Sequence, residues 1–356
     1  MSILVNLSFA PVKPTGWLSY SLNLLPEIKA LNIQVLSPGE IAGIKCHPSP
    51  TNITTECGIK GHFQRLLWMQ SQLPQWYKKL QSTLLFSPIP EAPLFSHCRY
   101  IVTVHDVIPL RFPQWFSSSQ RFYCQHYLPA VMQQSEHVIC NSIATAKDLT
   151  NLLGIPEKKI TAIPLAYDIK NFRFLNLPTQ NYFLYLGRHN PHKNPHRLIA
   201  AFFALSNCKD YELWLAGPTD DRYTPVLQKQ VDELGITKQV KFLDYVPYSQ
   251  LPTIINQAIA LVFPSLWEGF GLPVLEAMAC GTPVITSNIS SLPEVARDAA
   301  ILVNPDHTAE ITAAMQMFAT DAQMRSRQSS QGIIRAQQFS WEKTGKATME
   351  VLKNYL

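Results

Sequence analysis

ALVFPSLWEGFGLPVLEAMACGTPVI, residues 260–285, decides how this chain is read. Residues 260–264 form an apolar run of strand length and residues 267–271 a tight loop. Residues 273–279 follow as a short helix, with proline in its first turn and Gly281 just past its end. The segment predicts a buried strand, a turn and a helix start. A helix start presents backbone N–H groups without intrahelical partners and the positive end of the helix dipole, and Gly269 and Gly271 let main chain approach a ligand closely. That is a seat for phosphate. Glu268 precedes the seat and Glu276 lies about one turn into the helix, so two hydroxyl-binding carboxylates flank a diphosphate site without occupying it. A sugar nucleotide has this layout of hydroxyls, two phosphates and hydroxyls again.

Outward from this segment, strands alternate with helices in both halves. Residues 3–7 read as a strand, 17–30 as a helix with Leu18, Leu22 and Leu25 on one face, and 33–36 as a second strand. This βαβ opening implies a parallel sheet, continued by residues 100–104, 137–140 and 160–164. The second half repeats the pattern at 183–186, 212–216, 240–243, 260–263, 284–286 and 301–303. Residues 166–179 lack periodicity, contain Pro178 and read as a linker. The expected fold is α/β, two Rossmann-like doubly wound parallel-sheet domains facing a cleft, with ligands at the carboxyl ends of the strands. Residues 1–173 would bind the acceptor, 174–338 the donor nucleotide, and the helix in 339–356 would return to the first domain.

The seven residues between Glu268 and Glu276 make this segment resemble the E-x7-E signature of retaining glycosyltransferase family 4, the glycosyl transferases of group 1, whose members have the GT-B fold. LYLGRHNPHKNPHRLIAAF, residues 184–202, resembles the same family's Arg/Lys segment, which makes Arg188 and Lys193 the cations on the donor diphosphate. YIVTVHDVIPLRFP, residues 100–113, carries His105 and Asp106 where the family places a histidine over the donor sugar, and EHVICNSIATAKDL resembles the strand and helix that follow. The likeness runs from about residue 100 to 335, and the first hundred residues match only in outline. It implies that Glu268 binds donor-sugar hydroxyls, that amides near Phe270, Gly271 and Leu272 hold phosphate, and that Glu276 holds the ribose. Gly217, Tyr245 and Val246 fall at the height of the nucleobase. Relatives often carry a glycine pair after the first strand, whereas KPTGWLSYS has Gly16 alone with Thr15 in place of the other.

A lone Lys or Arg after a strand is ordinarily a solvated surface cation, and a lone histidine after a buried strand ordinarily a satisfied core group. The five-residue spacing of Arg188 and Lys193 across a strand-to-helix turn, beside the glutamate motif, favours function. Negative charge grows on the leaving phosphate as the glycosidic bond breaks, so fixed cations and helix-start amides stabilise the transition state selectively. The expected reaction moves a hexose from a nucleotide sugar, UDP-hexose first and GDP-mannose second, to a saccharide or lipid-linked saccharide acceptor, with retention by front-face attack. No D-x-D occurs in the chain, so no metal and no other cofactor is expected and activity should persist in EDTA. A nucleotide-sugar epimerase or a sugar phosphorylase on the same scaffold is the rival enzyme reading, and a nucleotide-sugar-binding sensor the non-enzyme one. A Rossmann dehydrogenase would carry G-x-G-x-x-G, which is absent.

Composition agrees with two α/β domains. The chain has 356 residues, 46% of them apolar, enough for two cores of about 170 residues. No apolar run reaches the roughly 18 residues that span a bilayer, and MSILVNLSFAP lacks a signal-peptide pattern, so a cytoplasmic protein is expected. Seven cysteines without a C-x-x-C read as reduced thiols. Residues 1–173 hold 15 Lys and Arg against 9 Asp and Glu, and residues 174–356 hold 15 against 16. The basic half could face an anionic membrane through residues 61–81, where Arg65, Lys78 and Lys79 sit among Trp68, Trp76 and Tyr77. Pro74 breaks that segment, which sets an ordinary amphipathic helix with a basic rim ahead of peripheral membrane contact. Nucleic acid is not expected as a partner, because no recognition motif accompanies the modest basicity.

Overall fold

A computed structural model describes residues 2–10, 16–54 and 57–356. The chain divides into two compact units, Met1–Leu165 together with Trp341–Leu356, and Ala166–Ser340. The second unit thus begins before the expected boundary at 173/174, and residues 166–173 of the expected linker belong to it.

In the first unit, seven strands form one sheet: β1 (Ile3–Asn6), β2 (Ile33–Ser37), β3 (Cys46–Pro48), β4 (Leu84–Ser87), β5 (Tyr100–Val104), β6 (His137–Cys140) and β7 (Ile160–Ala162). Their order is β3-β2-β1-β4-β5-β6-β7, and every neighbouring pair is parallel. Parallel strands covered by helices on both faces are buried throughout, and β1, β4, β5 and β6 are accordingly buried at every residue and mostly apolar. Leu4, Leu85, Val102, Val138, Met132 and Leu149 belong to one core cluster.

In the second unit, β8 (Tyr182–Leu186), β9 (Glu212–Ala216), β10 (Val240–Leu243), β11 (Ala260–Phe263), β12 (Val284–Ser287) and β13 (Ile301–Val303) form a parallel sheet in the order β10-β9-β8-β11-β12-β13. The chain winds outward from β8 to β10, then restarts at β11 on the other side of β8. The loops after β8 and β11 therefore leave the sheet in opposite directions, and a crevice opens between them at the switch point. Residues 188–193 and 264–271, the sequence-predicted diphosphate segments, are those two loops. The same switch occurs between β1 and β4 in the first unit.

Strands β3 and β4 were not anticipated, and the opening helix runs Gly16–Ile28. Leu18 and Leu25 are buried on it as expected, but Leu22 is 41% exposed. The segment 61–81 is two helices, Gly58–Ser71 and Leu73–Lys79, parted at Gln72 just before Pro74. Its expected basic rim is incomplete: Arg65 is only 3% exposed and gives two hydrogen bonds to the buried Glu91, at 2.7 and 3.0 Å. Trp68, Trp76 and Tyr77 pack against the core. The terminal helix Trp341–Lys353 packs on Gly16–Ile28 within the first unit, where a Cβ on Gly345 would stand 2.1 Å from Cβ of Glu27. Among the described residues no helix is long and apolar enough to cross a membrane.

Candidate functional site

The second unit carries most of the predicted site. At the end of β8, the fully buried Tyr185 donates its hydroxyl to the Arg188 carbonyl at 2.7 Å and so fixes the turn. The Arg188 side chain is exposed, with no carboxylate at ion-pair distance among the described residues. Arg222, and after it Arg188, hold the Asp220 carboxyl below its ordinary range. Lys193 closes a one-turn 3-10 helix, Pro191–Lys193, and does not open the following helix, which begins at Pro195. Between them Asn194 takes the left-handed conformation at φ 62° and donates to the carbonyls of Pro264 (3.0 Å) and Pro305 (2.7 Å). The Leu266 amide donates to His192 at 2.7 Å. These bonds stitch the β8 loop to the loops after β11 and β13.

That stitching brings Lys193 to Glu268. Nζ donates to both carboxylate oxygens, at 2.6 and 2.8 Å, and lies 5.3 Å over the ring of Phe263. Their side chains are 20% and 9% exposed. The cation assigned to phosphate and the acid assigned to sugar hydroxyls thus form an ion pair with each other. Beyond Glu268 the chain turns through Gly271 at φ 109°, a conformation L side chains rarely adopt, and a Cβ there would meet Leu292 at 2.7 Å. The helix Leu272–Ala279 follows, starting one residue earlier than expected. Its first ladder donors are the amides of Val274 and Leu275, both to the Gly271 carbonyl. The amides of Gly271 and Leu272 stay outside the helix ladder, as an anion seat requires. Phe270 is buried, edge-on to Phe339 at 6.0 Å.

Glu276 lies within this helix. Burial, and then the neighbouring Asp168 carboxylate, push its pKa up to about 8, so at neutral pH it carries a proton. Asp168 was not anticipated as a site residue. Its carboxylate accepts from the amides of Lys170 (2.9 Å) and Asn171 (3.4 Å) and from the Tyr248 hydroxyl (3.4 Å). Tyr245 and Val246 follow β10, with Tyr245 67% exposed. Gly217 follows β9 and lies against Gly187, where a Cβ would lie 2.1 Å from the Gly187 carbonyl oxygen, so close backbone packing already demands glycine there.

His105 stands at the end of β5 in the first unit. Its Nε2 lies 2.9 Å from the Pro88 carbonyl, which can only accept, so Nε2 bears the proton. Burial pulls the imidazole down to a pKa of about 4, which leaves it neutral with Nδ1 as its acceptor. Trp17 stacks beside it with ring centroids 6.4 Å apart, and Tyr20 meets it edge-on at 4.9 Å. Asp106 Oδ1 accepts from the Ile108 amide at 3.1 Å and shapes the next turn. Gly16 opens the helix that carries Trp17 and Tyr20, and a Cβ on it would meet nothing within 4 Å. Thr15 lies outside the described residues. Pro88, Trp17 and Tyr20 escaped sequence reading because a backbone carbonyl and two ring faces leave no motif.

Residues 168–335 match the family described as Glycosyl transferases group 1, and residues 44–171 match Glycosyltransferase Family 4. The chain is 30% identical over 271 residues to O-antigen chain mannosyltransferase B of Escherichia coli, covering 72% of this chain and 70% of that protein. It is 35% identical over 206 residues to O-antigen chain mannosyltransferase RfbU of Salmonella typhimurium, covering 58% of this chain and 56% of that one. The fold is shared with Anabaena Alr3699/HepE, solved in complex with UDP and glucose, at a TM-score of 0.78 and 19% identity over 99% of this chain and all of that one.

Proposed function

The chain belongs to the group 1 glycosyl transferases of family 4, with two parallel-sheet Rossmann-like units, and we propose that it is a retaining mannosyltransferase that uses GDP-mannose in glycan assembly. Mannose moves ahead of the UDP-hexose favoured by sequence alone because relatives named as O-antigen chain mannosyltransferases match so much of the chain. The observation that carries the reading is the meeting of Lys193 and Glu268 beside the Gly271 turn, at the switch point between β8 and β11.

In this reading the donor diphosphate lies over the Gly271 and Leu272 amides, and Arg188 and Lys193 meet the charge that grows on the leaving phosphate. Lys193 already has a carboxylate partner, so phosphate must draw it from Glu268, whose freed oxygens then accept sugar hydroxyls. Glu276, neutral before binding, can both donate to and accept from ribose hydroxyls. His105 accepts a donor-sugar hydroxyl through Nδ1. Retention follows from front-face attack, with a donor phosphate oxygen taking the acceptor proton. The acceptor is a saccharide or lipid-linked saccharide, and no metal takes part.

A donor panel of GDP-mannose, UDP-glucose and UDP-galactose, run with and without EDTA, tests this. Release of GDP from GDP-mannose in EDTA, with an α-linked product by NMR, is the expected result. Turnover of a UDP-sugar alone would overturn the donor assignment. Binding without any turnover would point to a sensor.

A further inference from the structure

Glu268, Phe270 and Gly271 are held in place by a segment that the motif does not include. After β12 the chain reaches Ser290, which takes the left-handed conformation at φ 58°, and then Ser291, which is completely buried. The Ser290 hydroxyl accepts from the Glu268 amide at 3.3 Å. Ser291 Oγ lies 3.0 Å from the Glu268 carbonyl and 2.8 Å from the Phe270 carbonyl, so one O–H is shared between both sides of the loop. Leu292, the next residue, fills the space that a Cβ on Gly271 would need. Three consecutive residues thus mould the turn from Glu268 to Gly271.

The mould is itself braced. Arg335 donates through Nε to the Val295 carbonyl at 2.9 Å and through Nη2 to the Glu294 carbonyl at 2.7 Å, fixing the helix Leu292–Ala296 that follows Ser291. Its guanidinium lies 4.7 Å over Phe339, the ring that meets Phe270. The loop is therefore gripped at its carbonyls by Ser291 and at the Phe270 ring by Phe339.

We propose that Ser290 and Ser291 are positioning residues for donor turnover, holding the Glu268 carboxylate and the Gly271 and Leu272 amides in the geometry that meets a leaving diphosphate. The proposal rests on the donor reading above. Non-Gly backbone at positive φ persists only where its surroundings over-determine it, and it gathers at functional sites. Here the strained Ser290 turns its hydroxyl toward the Glu268 amide while Ser291 reaches the carbonyls. A catalytic site works only if its donors are fixed before charge develops, so loosening this loop costs rate as well as affinity.

The test compares wild type with Ser291→Ala and Ser290→Gly for GDP and UDP affinity by calorimetry, for donor kcat and KM, and for thermal midpoint. Ser290→Gly removes the hydroxyl while suiting the left-handed backbone, so it folds even if Ser291→Ala does not. Each variant should bind its nucleoside diphosphate about threefold to tenfold more weakly, the range a lost hydrogen bond gives, with kcat reduced by at least as much. A lowered thermal midpoint with unchanged affinity and kcat in the folded protein would show mere scaffolding and overturn the proposal. If wild type binds neither GDP nor UDP, the donor reading itself fails.

Discussion

Replacing Lys193 by methionine should cost far more than replacing Glu268 by glutamine, although the two side chains form one ion pair. The carboxylate is 9% exposed and receives both Nζ bonds, at 2.6 and 2.8 Å, whereas the ammonium is 20% exposed on a flexible stem. Removing the lysine strands a nearly buried anion near the apolar Phe263 ring. Breaking a fully buried pair costs about 3–5 kcal/mol, and the partial exposure of Lys193 lowers this to about 2–3 kcal/mol. Removing the charge of Glu268 lets Lys193 turn toward water, at about 1 kcal/mol. A double-mutant cycle followed by urea unfolding should give a coupling of about 1–2 kcal/mol, diminished when GDP is saturating because phosphate takes the lysine. Equal single-mutant costs with coupling below about 0.3 kcal/mol would mean that Lys193 and Glu268 do not stabilise each other.

His105→Ala should lower turnover by about tenfold or more while leaving GDP affinity nearly unchanged, and equal losses in both would remove its assigned role. Because its pKa lies near 4, His105 should contribute no titration to the rate between about pH 5 and 8. Glu276 has its pKa raised to about 8, so its protonated form favours the folded state at low pH and that stability is lost as pH rises from the ordinary carboxyl range through about 8. The thermal midpoint should fall between about pH 5 and 8 in wild type and stay flatter in Glu276→Gln, and parallel curves would contradict this. Gly217→Ala forces a Cβ to 2.1 Å from the Gly187 carbonyl oxygen and should destabilise the second unit by about 3 kcal/mol, measured by thermal unfolding. An unchanged midpoint would show that the strand ends part freely.

Most of the fold is legible in sequence because a parallel sheet buries both faces of its strands. The runs at Tyr100–Val104, Glu212–Ala216 and Ala260–Phe263 are legible because most of their residues are apolar. Cys46–Pro48 is hard to read because it is an edge strand with half-exposed residues and a terminal proline, whereas Leu84–Ser87 is a fully buried strand of the same apolar kind as its neighbours. In the site, Lys193 is readable from the strand-turn-helix unit that begins at β8, and Glu268 and Gly271 from the one that begins at β11. The protonation of Glu276 was not, because Asp168 reaches it from a distant part of the chain. Nor was Arg65, whose buried partner Glu91 removes it from any basic surface.

The donor site is tested by crystals grown with GDP, or with UDP should that bind instead. The β-phosphate should lie against the Gly271 and Leu272 amides, with Arg188 and Lys193 on its oxygens and the Lys193–Glu268 pair opened. A diphosphate bound elsewhere in the second unit, with that pair intact, would contradict this.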